Sequence, residues 1–194
     1  MSDISNYTLY SGGLKGAENV FGQNAGKYGI KDVVFSFENH TLERDINVET
    51  LSNKELQRGD ISMEIVSARM GRRYAKTDKI RKIFQVIFHI INNGYQVFAV
   101  GKIMEDKTVK GGTGWGVELA KFFNRPVSVF NQETNKWYTW KENEWAEDSP
   151  VISHQTFCGT GTRYLTEEGK KAIDGLFERS FNFSTGPDND NQSI

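Results

Sequence analysis

The feature that most constrains this fold is an alternation of short β-prone runs with helical stretches, with glycine clusters directly after β-prone runs. Tyr7-Thr8-Leu9-Tyr10 runs into Ser11-Gly12-Gly13-Leu14-Lys15-Gly16, and a helix follows over residues 17–27, closed by Gly29. Residues 32–37 read as a second strand, and residues 40–47 have no period and read as loop. Ser52 and Glu55 have capping-box spacing, which predicts a helix start there, interrupted by Gly59 before residues 61–70. Thr77 is placed to cap a helix over residues 78–93. Its apolar residues, from Ile80 to Ile91, lie on nearly all faces, as in a buried central helix. A buried strand over residues 96–101 precedes Gly111-Gly112-Thr113-Gly114-Trp115-Gly116 and a helix to about residue 123. Residues 126–131 form another strand. Residues 136–140 and 144–145 form an aromatic hairpin that turns near Lys141-Glu142-Asn143. Thr156-Phe157 meets a third glycine turn, Gly159-Thr160-Gly161-Thr162, before a last helix from Thr166 to Arg179.

Strands alternating with helices imply a mostly parallel sheet covered on both faces, an α/β Rossmann-like three-layer sandwich with a small aromatic β-hairpin. One domain over residues 1–179 is expected, followed by a polar, mobile tail over residues 180–194. In such sheets ligands bind at the carboxyl ends of the strands, where all three glycine clusters fall.

Composition excludes several classes. The formal net charge is -1 and basic residues are interleaved with acids, so no basic field is present to hold a nucleic-acid backbone. The single cysteine, Cys158, excludes an internal disulfide and paired-cysteine metal sites. His40, His89 and His154 lack metal-ligand spacing, and neither a metal nor a cofactor is expected. The N-terminus lacks the basic and apolar regions of a secretory signal, and the apolar stretch near residues 83–91 is too short to span a bilayer. The sequence reads as a cytoplasmic protein without a membrane partner.

Glycines remove the Cβ atoms that keep a backbone from a phosphate, and successive N–H groups at a helix start then face the anion. In the first cluster Ser11, Gly12, Gly13, Lys15 and Gly16 are candidate ligand contacts, although a tight strand-to-helix turn accounts for the pattern equally well. The cluster is neither a P-loop nor a G-x-G-x-x-G fingerprint. The second cluster has four glycines in six residues, which favours an anion site at Gly111, Gly112, Thr113 and Gly114. Trp115 is a candidate stacking surface for a base, with hydrophobic packing as its alternative. Glu118 either complements the helix dipole, holds a ribose hydroxyl, or assists cleavage at C1′. In the third cluster Gly159, Gly161, Thr162 and Arg163 offer a phosphate or carboxylate contact, unless Arg163 pairs with Glu167. Arg69, Arg72 and Arg73 sit at a helix end, where they complement the dipole or send one side chain into the pocket. His40 is placed to face the ligand, while His89 and Cys158 read as satisfied core residues.

Taken in order, these three clusters resemble the SLOG superfamily of Rossmann-like proteins, which includes LOG phosphoribohydrolases and Smf/DprA domains. The closest likeness is to small stand-alone bacterial or phage members of the YspA type, over residues 7–177. The resemblance implies a pocket for a nucleotide-derived molecule such as an ADP-ribose-like or cyclic ADP-ribose-type signal, with a role as a sensor or as a sponge in phage–host defence signalling. It also implies a homodimer or higher homo-oligomer. The enzymatic branch of the superfamily carries Pro-Gly-Gly-x-Gly-Thr-x-x-Glu. Here Lys110 stands for the Pro and Trp115 for the Thr, while Gly111, Gly112, Gly114 and Glu118 match. In that alternative Glu118, with an upstream Arg, cleaves the N-glycosidic bond of a nucleoside 5′-monophosphate. Arg72 is taken for that role and Arg69 for ligand binding, with the choice among Arg69, Arg72 and Arg73 open. A DprA-like DNA-binding role is disfavoured by the charge.

Overall fold

The computed structural model describes residues 4–74 and 77–181. After a 3-10 turn at Ile4–Asn6, the elements run β1 (Thr8–Ser11), α1 (Ala17–Lys27), β2 (Lys31–Phe37), β3 (Val48–Leu51) and α2 (Asn53–Leu56). A second 3-10 turn, Gln57–Gly59, leads to α3 (Asp60–Met70), α4 (Asp78–Asn93), β4 (Gln96–Gly101), α5 (Thr113–Phe122) and β5 (Val127–Asn131). The chain ends with β6 (Lys136–Lys141), β7 (Glu144–Asp148), β8 (Thr156–Gly161) and α6 (Glu167–Phe181).

The described strands form one sheet in the order β3-β2-β1-β8-β4-β5-β6-β7. Pairing is parallel from β3 through β5 and antiparallel only in β5–β6 and β6–β7. Strand β4 shows why the sheet is covered on both faces. Val97 and Ala99 point into a core built with α3, α4 and α5, and Phe98 and Val100 into one built with α1 and α6. The result is the expected three-layer Rossmann-like sandwich.

The strand order fixes where a ligand site can form. The chain steps outward from β1 to β2 and β3, crosses to β4 and β5, and returns at β8 to lie between β1 and β4. The direction of winding therefore reverses around β1, β8 and β4, and a crevice opens at their carboxyl ends.

Several expectations are corrected. Strand β3 is absent from the sequence reading because three of its four residues are exposed, which leaves no apolar alternation to detect at an edge. Gly159 and Gly161 lie within β8 rather than in a turn. Helix α1 lies so close to this strand that a Cβ at Gly159 would sit 2.4 Å from the Phe21 ring. Gly114 and Gly116 lie inside α5, not before it, and a Cβ at Gly114 would meet the Val109 carbonyl oxygen at 2.0 Å. Helix α4 is not buried all round: Ile80 is 46% exposed, and Ile83 and Ile87 turn to a cavity. Thr77 occupies the N-cap of α4 but its side chain makes no capping bond, whereas the Ser52–Glu55 capping box forms as read. The last helix continues to Phe181, so Ser180 and Phe181 are helical, and the rest of the expected tail lies outside the described residues.

The hairpin turns at Glu142 and Asn143, both left-handed at φ 51° and 64°, as a two-residue hairpin connection requires. Trp140 and Trp145 face each other across it with ring centroids 5.0 Å apart.

Candidate functional site

A cleft of about 620 Å³ occupies the switch point. Its rim joins the turn after β1 (Gly12, Leu14), the last residues of β4 and β8 (Gly101, Gly161) and the segments that follow them (Lys102; Thr162, Arg163, Tyr164), with Gln132 and Glu133 after β5. The start of α5 contributes Lys110, Gly111, Gly112 and Thr113, and helix α4 supplies an apolar wall of Ile83, Val86, Ile87 and Ile90. The three glycine clusters thus converge on one cavity, as their positions at strand exits predict.

The second cluster lines one end of the cleft. The N-terminus of a helix carries its positive dipole end, and at α5 Gly111, Gly112 and Thr113 line the cleft, while the Gly114 and Trp115 amides donate to Gly111 O and Gly112 O. Lys102 sits nearby, paired with Glu133. Lys110 and Arg163 line the same cleft, and neither enters an ion pair among the described residues.

The first cluster behaves differently from its sequence reading. Leu14 N–H donates to Glu18 Oε2 at 3.0 Å, and Gly12 lies against the same oxygen. The turn therefore faces a side chain of the protein itself. Thr160 Oγ1 donates to Glu18 Oε1 at 2.9 Å. Glu18 is only 5% exposed, and burial pushes its carboxyl up from the ordinary range against the lowering effect of these bonds and of Arg163. Burial also holds the His40 imidazole below its usual range, helped by Lys79 and Arg163. His40 lines the cleft, stacks on Phe37 with ring centroids 4.3 Å apart and lies 3.2 Å from Ser36 Oγ.

Other predicted contacts fall outside the cleft lining. The Ser11 hydroxyl is fully buried and finds no hydrogen-bond partner among the described residues. The Gly13 carbonyl accepts the Glu43 and Arg44 amides, and Lys15 points to solvent. Gly16 packs on the backbone of Thr162 and Arg163, where the Ala17 amide donates to Thr162 O at 3.1 Å, so the first and third clusters brace each other. Trp115 is 4% exposed and stacks on Phe84 with ring centroids 4.3 Å apart. It is a core residue there, not a platform for a base.

Glu118 belongs to a separate cluster. Its Oε1 accepts from Arg69 Nε at 3.2 Å, and its Oε2 lies 3.5 Å from Lys121 Nζ. Lys121 in turn sits 3.6 Å from the Trp140 ring centroid and donates to Lys107 O at 3.0 Å, the same carbonyl that takes the Trp145 indole N–H. Arg72 does not reach Glu118. Its guanidinium donates to Val109 O at 2.9 Å and to Thr108 Oγ1 at 2.7 Å, clamping the segment before α5. Arg73 is exposed.

Sequence reasoning missed Glu18, Thr160, Lys102 and the α4 wall. Glu18 carried one weak signal, an acid in a helix's first turn, which the helix dipole alone explains. A second cavity of about 550 Å³ surrounds Asp60, but Tyr74, Arg81 and Gln85 all donate to that carboxylate and satisfy it. Among the described residues, no group of three or more His, Cys, Asp or Glu is placed to hold a metal, and no helix is long and apolar enough to cross a membrane.

Comparison of the chain with protein-family models, curated proteins and solved structures returns no match.

Proposed function

We propose that the switch-point cleft binds a phosphate-bearing nucleotide derivative of the ADP-ribose type and holds it intact, so that the chain senses or sequesters such a molecule. One observation carries this reading. A single cavity joins the N-terminus of α5, the cations Lys110 and Arg163, and an apolar wall on α4. The first two suit a phosphate and the wall suits the flat face of a base. The resemblance of the three glycine clusters to SLOG proteins supports the same ligand class, and extends it to a signal-sequestering role in phage–host defence.

A second reading, a phosphoribohydrolase acting through Glu118, draws support from the Arg69–Glu118 contact at 3.2 Å. Against it, neither residue lines the cleft, and Lys121 engages the other Glu118 oxygen. The two readings separate in one experiment. The purified protein is exposed to a nucleotide mixture containing ADP-ribose derivatives, then denatured, and the released small molecules are identified by mass spectrometry. Recovery of an intact nucleotide is the expected result. Free base with ribose 5-phosphate, lost in Glu118→Gln, would replace the binding reading with the hydrolase.

A further inference from the structure

The floor of the cleft holds a charged group that phosphate binding does not use. Glu18 stands in the first turn of α1, where a strand-to-helix glycine turn ordinarily offers its amides to an external anion. Here the Leu14 amide and the Thr160 hydroxyl both turn to the Glu18 carboxylate. The approach is close, since a Cβ at Gly12 would lie 2.8 Å from Glu18 Oε2. The protein's own anion therefore fills the nest.

Two consequences follow for a ligand. A phosphate is excluded from this end of the cleft, because the Leu14 amide is taken and the resident group has the same charge. It must lie at the other end, on α5 with Lys110. The second consequence concerns what does meet Glu18. A carboxylate has about four lone-pair directions, and protein donors take two of them. Neither of these two donors is a cation, and burying an anion this deeply is costly unless its remaining capacity is met. A ligand group arriving here must be a hydrogen-bond donor.

We infer that Glu18 reads a ribose hydroxyl of the bound molecule, making it the residue that selects ribonucleotide derivatives over deoxy analogues and sets which way round the ligand lies. This inference rests on the nucleotide-binding reading above. It assigns the first glycine turn the task of holding a sugar-reading acid, and leaves the phosphate to the second turn.

The test titrates three compounds calorimetrically into the wild-type chain and into Glu18→Gln. They are ADP-ribose, its analogue lacking the hydroxyls of the adenosine ribose, and its analogue lacking those of the terminal ribose. A site built around a hydroxyl rejects a molecule without it, because the buried acceptor is left unpaired. One of the two analogues should therefore bind the wild type about tenfold or more weakly than ADP-ribose does. In Glu18→Gln that discrimination should shrink to about twofold or less. If Glu18→Gln does not fold, the wild-type comparison decides alone. Equal binding of all three compounds by the wild type overturns the role of Glu18 and leaves the nucleotide site standing. Absence of binding by ADP-ribose itself overturns both.

Discussion

Two carboxylates, each on a helix that follows a glycine-rich turn, have opposite fates in this molecule. Glu18 opens α1 and faces a cavity, held by an amide and a hydroxyl. Glu118 lies farther along α5, away from the cavity, and is engaged by Arg69 and Lys121. The sequence pattern singles out Glu118, because it stands at the right distance after a dense glycine cluster. The geometry favours Glu18. Both helices begin at the cleft, and what separates the two acids is their place along them: Glu18 lies in the first turn of α1, and Glu118 lies in the second turn of α5, beside Arg69 and Lys121. A cluster around Lys121 ties α5, the hairpin and the segment before α5 together, while the cleft stays open. One region braces the fold and the other is free to bind.

The comparison breaks most visibly at Trp115, which sits on the bracing side. Trp115→Ala should cost about 3–5 kcal/mol of unfolding free energy, through the lost stack on Phe84 and the cavity left behind. Urea unfolding measures this. In the fraction that remains folded, ADP-ribose affinity should stay as in the wild type, and a selective loss of affinity would return Trp115 to the site.

Lys121→Met sharpens the same division. It removes the cation from the face of Trp140 and the bond to Lys107 O, for an expected loss of about 1–3 kcal/mol. Hydrogen exchange of the β6 and β7 amides should accelerate, while ligand affinity changes little. On the open side, Arg163→Ala should leave unfolding free energy within about 0.5 kcal/mol of wild type, since Arg163 is exposed. It should weaken nucleotide binding about tenfold, equivalent to about 1.4 kcal/mol. A variant that binds normally would remove Arg163 from the phosphate end.

The fold was legible because its main elements carry strong local signals. The helix over residues 78–93 and the strand over residues 96–101 stand where the apolar pattern puts them. The site was legible only as a place. Glycine clusters mark strand exits, and strand exits meet in space, so Gly12, Gly111, Gly112, Thr113, Gly161, Thr162 and Arg163 come together. Which groups do what was hidden. A glycine looks the same in sequence whether it borders open space, as at Gly112, or admits a neighbouring helix, as at Gly159 beneath Phe21. The wall of α4 was hidden for a related reason. Its apolar residues read as core, and only the assembled sheet leaves Ile83 and Ile87 beside an open cavity.

The smallest expected effect concerns pH. Burial raises the Glu18 carboxyl pKa, so the folded chain holds that proton more firmly than the unfolded chain. Below the ordinary carboxylate range both states are protonated and the group is neutral for stability. As pH rises from that range toward the raised value, the unfolded chain releases its proton first. Stability should therefore fall over this window and level off above it. The difference in unfolding free energy between wild type and Glu18→Gln, followed through the window, should show this slope, and a flat difference would contradict it.

The central claim is that the ligand lies in the switch-point cleft and not at Glu118. Amide chemical shifts followed during an ADP-ribose titration test it most directly. A ligand in the cleft should give large, saturable shifts at Gly111, Gly112, Thr113, Gly161, Thr162 and Arg163, with Glu118, Lys121 and Trp140 nearly unmoved. Shifts centred on Glu118 and its ion-pair partners, or no saturable shift at all, would contradict it.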